Sequence, residues 1–241
     1  MQISGLFIKE RVSSDKMELT ILMPCLNEEK TIELCICKAL DFLKKYHIDG
    51  EILIVDNGSQ DNSTYIIKKS GVRLIEEPKK GYGSALLCGI RNAKGKYVIM
   101  GDCDDSYDFE NLYPFLTCLR ENYDLVIGNR FQGGIEKGAM SFSHKLGVPF
   151  LTTLGNMIYG TSLGDYHCGL RGFHRNKILD LHLKCLGMDF ASEMIIKSKK
   201  QNYRIVEIPT ILRKDGRGRK SHLNTIRDGI LHLECLLRYR K

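Results

Sequence analysis

Short β-branched runs alternate with longer segments of helical period through the first half of this chain, and that alternation limits its fold more than any other feature. The runs Leu19–Met23, Glu51–Asp56, Val72–Ile75, Tyr97–Gly101 and Asp124–Gly128 are separated by helical stretches at 28–45, 62–70, 83–93 and 110–121. Strands spaced by helices pair side by side through right-handed crossovers and are covered on both faces. The spacing therefore predicts an α/β fold with a mainly parallel, Rossmann-like sheet sandwiched by helices. In the first helix Ile32, Ile36, Ala39 and Leu43 form an apolar stripe, with Asn27 as the expected cap and Glu28 and Glu29 in the first turn.

After Asn129 the pattern loosens into a Gly-rich stretch (Gly133, Gly134, Gly138), an apolar segment 146–160 and a loop with Asp165 and Gly169. A helix near 188–200, a strand at Arg204–Ile208 and a last helix near 223–240 follow. A chain of 241 residues can close one core. A single domain is expected over 18–222, with a nucleotide-binding half (about 18–130) and an acceptor half (about 131–222) on one sheet. Residues 1–17 read as an N-terminal extension, and 223–241 as a basic amphipathic helix.

Nine cysteines, odd in number and without a C-x-x-C pair, point to a reducing compartment. The first 17 residues lack the apolar core of a signal peptide, and no uncharged apolar run reaches the ~18 residues of a membrane span. The expectation is a cytoplasmic chain. Residues 197–241 hold 13 Lys/Arg against 4 Asp/Glu, whereas the rest is slightly acidic, so the net charge of +7 belongs to the C-terminal end. Such a tail suits an anionic lipid, a phosphate substrate or a nucleic acid alike.

In open parallel sheets ligands sit beyond the carboxyl ends of the strands. There the chain carries Pro24-Cys25-Leu26-Asn27-Glu28 and Asp56-Asn57-Gly58-Ser59-Gln60-Asp61. Asn27 and Asp61 can also be caps, and Asn57-Gly58 a turn. Asp56 ends an apolar strand and needs another explanation. Lys79-Lys80-Gly81-Tyr82-Gly83-Ser84 opens a helix, either to bring backbone N–H groups against phosphate or as a glycine loop with solvated lysines. A complete dinucleotide fingerprint and a P-loop are both absent.

The sharpest signal is Asp102-Cys103-Asp104-Asp105-Ser106-Tyr107-Asp108. Four carboxylates in seven residues repel one another unless a cation neutralises them. Asp102 and Asp104 project to one side of an extended chain and could hold a hard divalent ion that also takes substrate phosphates. Cys103 between them should turn the other way and pack. Among the cations, Arg130 follows an apolar strand directly and Arg171 lies in a Gly-rich turn, so these two are the candidates for a second anionic ligand. No nucleophile–base arrangement is visible.

These segments, in this order, resemble family-2 glycosyltransferases of the GT-A fold, most closely the dolichyl-phosphate mannose and glucose synthase branch. The pieces that carry the resemblance are Pro24–Glu28, Ile54–Asp61, Lys80–Ala85, Asp102-x-Asp104, Gly128-Asn129-Arg130, Gly169-x-Arg171-x-Phe173 and Glu207-Ile208-Pro209. The resemblance implies a UDP- or GDP-sugar donor seated by Pro24, Leu26, Asn27, Glu28, Asp56, Gly58, Ser59, Lys80, Gly81, Gly83, Asp102 and Cys103. It implies Mg2+ or Mn2+ on Asp102 and Asp104. Asp104, Arg130 and Arg171 become the catalytic candidates, and Arg130, Lys145, Arg171 and Arg217 the acceptor-phosphate candidates, with His144-Lys145 standing in for a second arginine. The expected product is an inverted hexosyl phosphodiester.

A phosphate monoester is largely ionised near neutrality, its second pKa being ~6, so it can attack a sugar without a strong protein base. The residue inventory suits that chemistry. A polyprenyl (dolichyl or undecaprenyl) phosphate is the expected acceptor. A saccharide hydroxyl would need a carboxylate base, for which Asp165 and Glu193 are the spare candidates. Leu223, Ile226, Ile230, Leu233 and Leu237 at helical spacing, flanked by Arg227, Arg238, Arg240 and Lys241, suit either an anionic membrane surface or packing on the domain. The chain is thus expected peripherally on the cytoplasmic face of a membrane, with a membrane-protein partner in view. A nucleotidyltransferase and a basic nucleic-acid-binding module are the readings from other classes. No RNA- or DNA-binding signature accompanies the basic end, and nucleic acid is not an expected partner.

Overall fold

A computed structural model describes residues 17–218 and 225–240. All but the last residue of the expected extension 1–17, together with Arg219, Lys220, Leu223 and Lys241, lie outside the described residues, as does the side chain of Ile226. Seven strands form one sheet: β1 (Leu19–Cys25), β2 (Gly50–Asp56), β3 (Arg73–Glu76), β4 (Tyr97–Met100), β5 (Leu125–Asn129), β6 (Arg171–His174) and β7 (Ile205–Pro209). The helices are α1 (Ile32–Lys45), α2 (Ser63–Ser70), α3 (Tyr82–Asn92), α4 (Tyr113–Arg120), α5 (Arg130–Gly133), α6 (Phe142–Tyr159), α7 (Arg175–Asp180), α8 (Phe190–Lys200) and α9 (Thr225–Arg238).

The strand order is β3-β2-β1-β4-β6-β5-β7. Parallel pairing joins β1 to β2 and β4, β2 to β3, and β5 to β7, while β6 alone runs against its neighbours β4 and β5. Leu19, Ile21, Leu22 and Met23 of β1 and Leu53, Ile54 and Val55 of β2 are inaccessible to solvent, as near-continuous apolar strands in a covered sheet should be. Both halves of the chain share this one sheet, in keeping with a single domain.

The chain moves from β1 outward to β2 and β3, then crosses to the other side of β1 for β4. That reversal opens a crevice between the carboxyl ends of β1 and β4. The loops after these strands meet there: the Cys103 thiol donates to Pro24 O (3.0 Å) and the Thr31 hydroxyl to Cys103 O (2.8 Å).

Three local expectations are corrected. Asn27 does not cap α1; Thr31 precedes the helix, and Asn27 adopts a left-handed φ of 58°. Its Oδ1 accepts from Gln60 N (2.7 Å), tying the first rim loop to the second. Arg171, expected in a Gly-rich turn, opens the antiparallel strand β6. The apolar segment expected from 146 begins four residues earlier, where Ser141 Oγ caps α6 by accepting from His144 N (3.3 Å).

Candidate active site

The four carboxylates beyond β4 have different partners. Asp105 pairs with Lys38 of α1 (2.5 Å), and Asp108 with Arg213 (2.8 Å) and Asn111 (2.7 Å). Asp104 Oδ1 accepts from Ser106 N (3.0 Å) and Oγ (2.5 Å), while its Oδ2 meets Arg217 Nη2 at 3.0 Å. Asp102 and Asp104 are the two that line the crevice. Burial, and then the Asp104 carboxylate, push Asp102 up to about 6.

Two cavities meet at this pair. One, of about 370 Å³, is lined by Pro24, Leu26, Glu28, Asn57, Lys80 and Tyr82. The other, of about 510 Å³, is lined by Arg130, His144, His167, Arg213 and His232. Asp102, Asp104, Met188, Arg217 and Asp228 belong to both walls. Arg217 bridges Asp104, Glu28 (3.4 Å) and Asp215 (3.3 Å), so a guanidinium lies against the acidic pair.

Among the described residues no group of three or more His, Cys, Asp or Glu forms a metal cage. Two adjacent carboxylates that share a cavity wall with a cation nonetheless fit Mg2+ or Mn2+, which take one or two protein carboxylates and complete their shell with phosphate oxygens and water.

Several expected site residues have other work. Asp56 is buried, and Oδ2 accepts from Gly58 N (2.9 Å) and Ser59 N (3.0 Å); Ser59 Oγ in turn accepts from Asn27 N (2.8 Å). Asn27, Asp56, Gly58 and Ser59 thus shape the rim without lining either cavity. Gly83 is not at the cavity; a Cβ there would lie 2.4 Å from Cys185 O. At Gly81, φ is +135° and a Cβ would lie 2.2 Å from Leu186 O, while its amide donates to Asn57 Oδ1 (2.8 Å). Both glycines permit close approach of the 185–187 segment, and Gly81 also lines the smaller cavity. Lys80 Nζ lines the smaller cavity and donates to Asn57 O (2.8 Å). Cys103 is buried, yet it lines the smaller cavity beside Asp102 and Asp104 rather than turning to the opposite side.

Arg171 is corrected most sharply. Its side chain is 0% exposed and donates to Cys168 O (2.9 Å), Ala191 O (2.8 Å) and Tyr166 O (2.7 Å). Burial lowers its pKa from the ordinary arginine value. It clamps three backbone segments and lines neither cavity. Lys145 is exposed on α6 and its neighbour His144 lines the cavity instead. Arg130 is at the cavity, held by the fully buried Asp165 in a bidentate pair (2.6 and 2.8 Å). That pair, and the bonds from Lys184 N, Cys185 N, Lys197 and Tyr239 to buried Glu193, take both spare base candidates away from the cavities.

Sequence reasoning missed His167, His232, Met188 and Asp228. His167 and Met188 lie in separate loops, and Asp228 and His232 sit four residues apart on α9, so no single stretch of sequence gathers them. Only a polar residue such as His232 on the otherwise apolar side of α9 offered a signal.

The last helix takes the second of its two expected roles and packs on the domain. His232, Cys235 and Leu236 are buried against the domain, and Tyr159 OH of α6 donates to Leu236 O (2.6 Å). The opposite face exposes Ile230, Leu233 and Leu237. Neighbouring α6 exposes Phe142 (77%), Leu146 (60%), Phe150 (67%) and Met157 (72%) along one stripe. Among the described residues no helix is long and apolar enough to cross a membrane.

Residues 20–181 match the model of the family described as glycosyl transferase family 2. The low-salt glycan biosynthesis hexosyltransferase Agl6 of Haloferax volcanii is 36% identical over 222 residues, covering 91% of this chain but only 53% of that relative. The dolichyl-phosphate hexose transferase of the same organism is 29% identical, covering 80% of this chain and 81% of its own. Among solved structures, glucosyl-3-phosphoglycerate synthase of Mycobacterium tuberculosis, crystallised with Mn2+, UDP and phosphoglyceric acid, superposes with a TM-score of 0.71 at 20% identity. That superposition covers 93% of this chain and 78% of the synthase, and the shared fold is of the GT-A type.

Proposed function

The chain belongs to glycosyltransferase family 2, and from that premise we propose that it transfers a hexose from a UDP- or GDP-sugar to a polyprenyl phosphate at a membrane surface. The observation that carries the reading is the pair of cavities meeting at Asp102 and Asp104, one beside the Pro24–Glu28 rim and one holding Arg130 beneath two helices with apolar outer faces. The Haloferax dolichyl-phosphate hexose transferase, and the UDP and Mn2+ of the mycobacterial synthase, support it.

In this reading the donor half (18–130) seats the nucleotide sugar in the smaller cavity, against Pro24, Leu26, Glu28 and Lys80. Asp102 and Asp104 would hold Mg2+ or Mn2+, which would supply positive charge against the leaving diphosphate. Arg130, oriented by Asp165, holds the acceptor phosphate in the larger cavity. A phosphate oxygen attacks the anomeric carbon while the bond to the diphosphate breaks, and no proton need be removed. Arg217 lies where the two anions meet and contributes positive charge to both. A saccharide hydroxyl would need a base, and neither Asp165 nor Glu193 reaches the cavities.

The test is a screen of radiolabelled UDP- and GDP-sugars with polyprenyl phosphate and Mn2+ or Mg2+. Label entering the lipid phase from one donor is the expected result. Metal-dependent donor hydrolysis without lipid label would move the acceptor to a saccharide.

The outer stripe of α6 gives a second prediction. Burying a Phe side chain is worth roughly 1.5–3 kcal/mol, so the double change Phe142→Ser, Phe150→Ser should weaken co-sedimentation with anionic liposomes at least about tenfold. Unchanged binding would remove this face from the membrane contact.

A further inference from the structure

The larger cavity is short of cations for a doubly charged ligand. Arg171 is turned to backbone carbonyls, Lys145 points elsewhere, Arg213 is paired with Asp108, and Arg217 lies against Asp104 and Glu28. Arg130 remains, and half of its fork is taken by Asp165. Three histidines share this wall: His144 of α6, His167 before β6 and His232 of α9.

Two of them are physically linked. Ser192 Oγ of α8 lies 2.9 Å from His232 Nδ1 and 3.4 Å from His167 Nε2, and the two rings meet edge to face with centroids 4.2 Å apart. His167 is fastened to the Arg130 anchor through its own backbone, since its amide donates to Asp165 Oδ1 (3.1 Å). Its Nδ1 is buried and has no hydrogen-bond partner among the described residues. A buried ring nitrogen left without a partner is costly unless a bound state uses it.

We infer that His167, backed by Ser192 and His232, is a positioning group of this cavity that carries a proton only while a phosphate monoester dianion is bound. This rests on the acceptor reading above and deepens it. The groups around the pair are Arg130 from α5, His144 from α6, Asp165, Tyr166, Arg171 from β6, Ser192 from α8 and Asp228 from α9. In the empty cavity burial, the neighbouring ring and the arginines hold His167 well below its ordinary value, and burial holds His232 at about 4. Both rings are then neutral at pH 7. A dianion beside Arg130 reverses the local sign and favours imidazolium at His167. After transfer the product phosphodiester carries one negative charge fewer, the proton returns to solvent, and the product is held more weakly.

The test is calorimetric binding of geranyl phosphate and, separately, of glycerol 3-phosphate at pH 7.5, in buffers of different ionisation enthalpy. A phosphate monoester is almost wholly dianionic there, so it contributes no proton change of its own. Wild type should take up about one proton per bound monoester, and lowering the pH from 8.5 to 7.5 should tighten binding up to about tenfold. His167→Gln and His232→Gln should lose the uptake and the pH dependence while still binding, and exposed His47→Gln should keep both. Stronger binding of the geranyl ester than of glycerol 3-phosphate marks a lipid source for the headgroup, and the reverse a soluble one. Binding by wild type without proton uptake, or uptake that persists in both variants, overturns the histidine role alone. No binding of either ester removes the acceptor reading and this inference with it.

Discussion

Replacing Asp104 by Asn should lower the rate of sugar transfer by about 10³-fold, the loss seen when one preorganised electrostatic contact to a transition state is removed. The change is gentle on structure. Ser106 N and Oγ bind Asp104 Oδ1, a position at which the amide oxygen of Asn still accepts. Oδ2, facing Arg217 at 3.0 Å, becomes an amide NH2 that cannot accept from the guanidinium, so the charge and that ion pair are lost together while Arg217 keeps Glu28 and Asp215. The loop should therefore keep its shape and the protein its melting temperature, while Mn2+ binding followed by electron paramagnetic resonance weakens sharply. Transfer and Mn2+ affinity both at wild-type level would dismiss the Asp102-Asp104 metal site.

Arg171→Met has the largest expected effect on stability. Methionine fills much of the arginine volume but leaves Cys168 O, Ala191 O and Tyr166 O without the guanidinium that links them. Buried acceptors stripped of a partner cost roughly 1–3 kcal/mol each. Relief of burying an arginine whose charge meets no carboxylate in these bonds offsets part of that, so a net loss of about 3 kcal/mol is expected. For a chain of this size that is a fall in melting temperature of about 6–12 °C. The surviving folded protein should bind the acceptor with nearly unchanged KM, because Arg171 lines neither cavity. An unchanged melting temperature with a KM raised tenfold would restore Arg171 to the acceptor site. Arg130 behaves oppositely in this account: exposed to the cavity, it should affect KM first.

The pairing of expectation with outcome follows the range of the forces involved. Local periodicity marks β1, β2, β4 and β5 because their apolar runs are contiguous and buried on both faces. β6 escaped because four residues containing Arg171 and Gly172 carry no apolar period; it is a strand through its pairing with β4 and β5. The acidic run beyond β4 was legible as a metal candidate, since like charges at that density demand a counter-charge wherever the chain goes.

By itself, then, the sequence determined the alternating α/β architecture, the rim at which the two cavities open and the two aspartates that line them both. These depend on neighbours within a few residues. Only the tertiary structure decided which charges stay at the cavities. Lys38 reaches Asp105 across 67 positions, Asp165 meets Arg130 across 35, and Glu28 meets Arg217 across 189. It also decided that Arg171 would be a clamp and that His167 and His232 would meet at Ser192. An ionisable side chain has no fixed role until its partner and its burial are known, and both are set by contacts that sequence spacing does not encode.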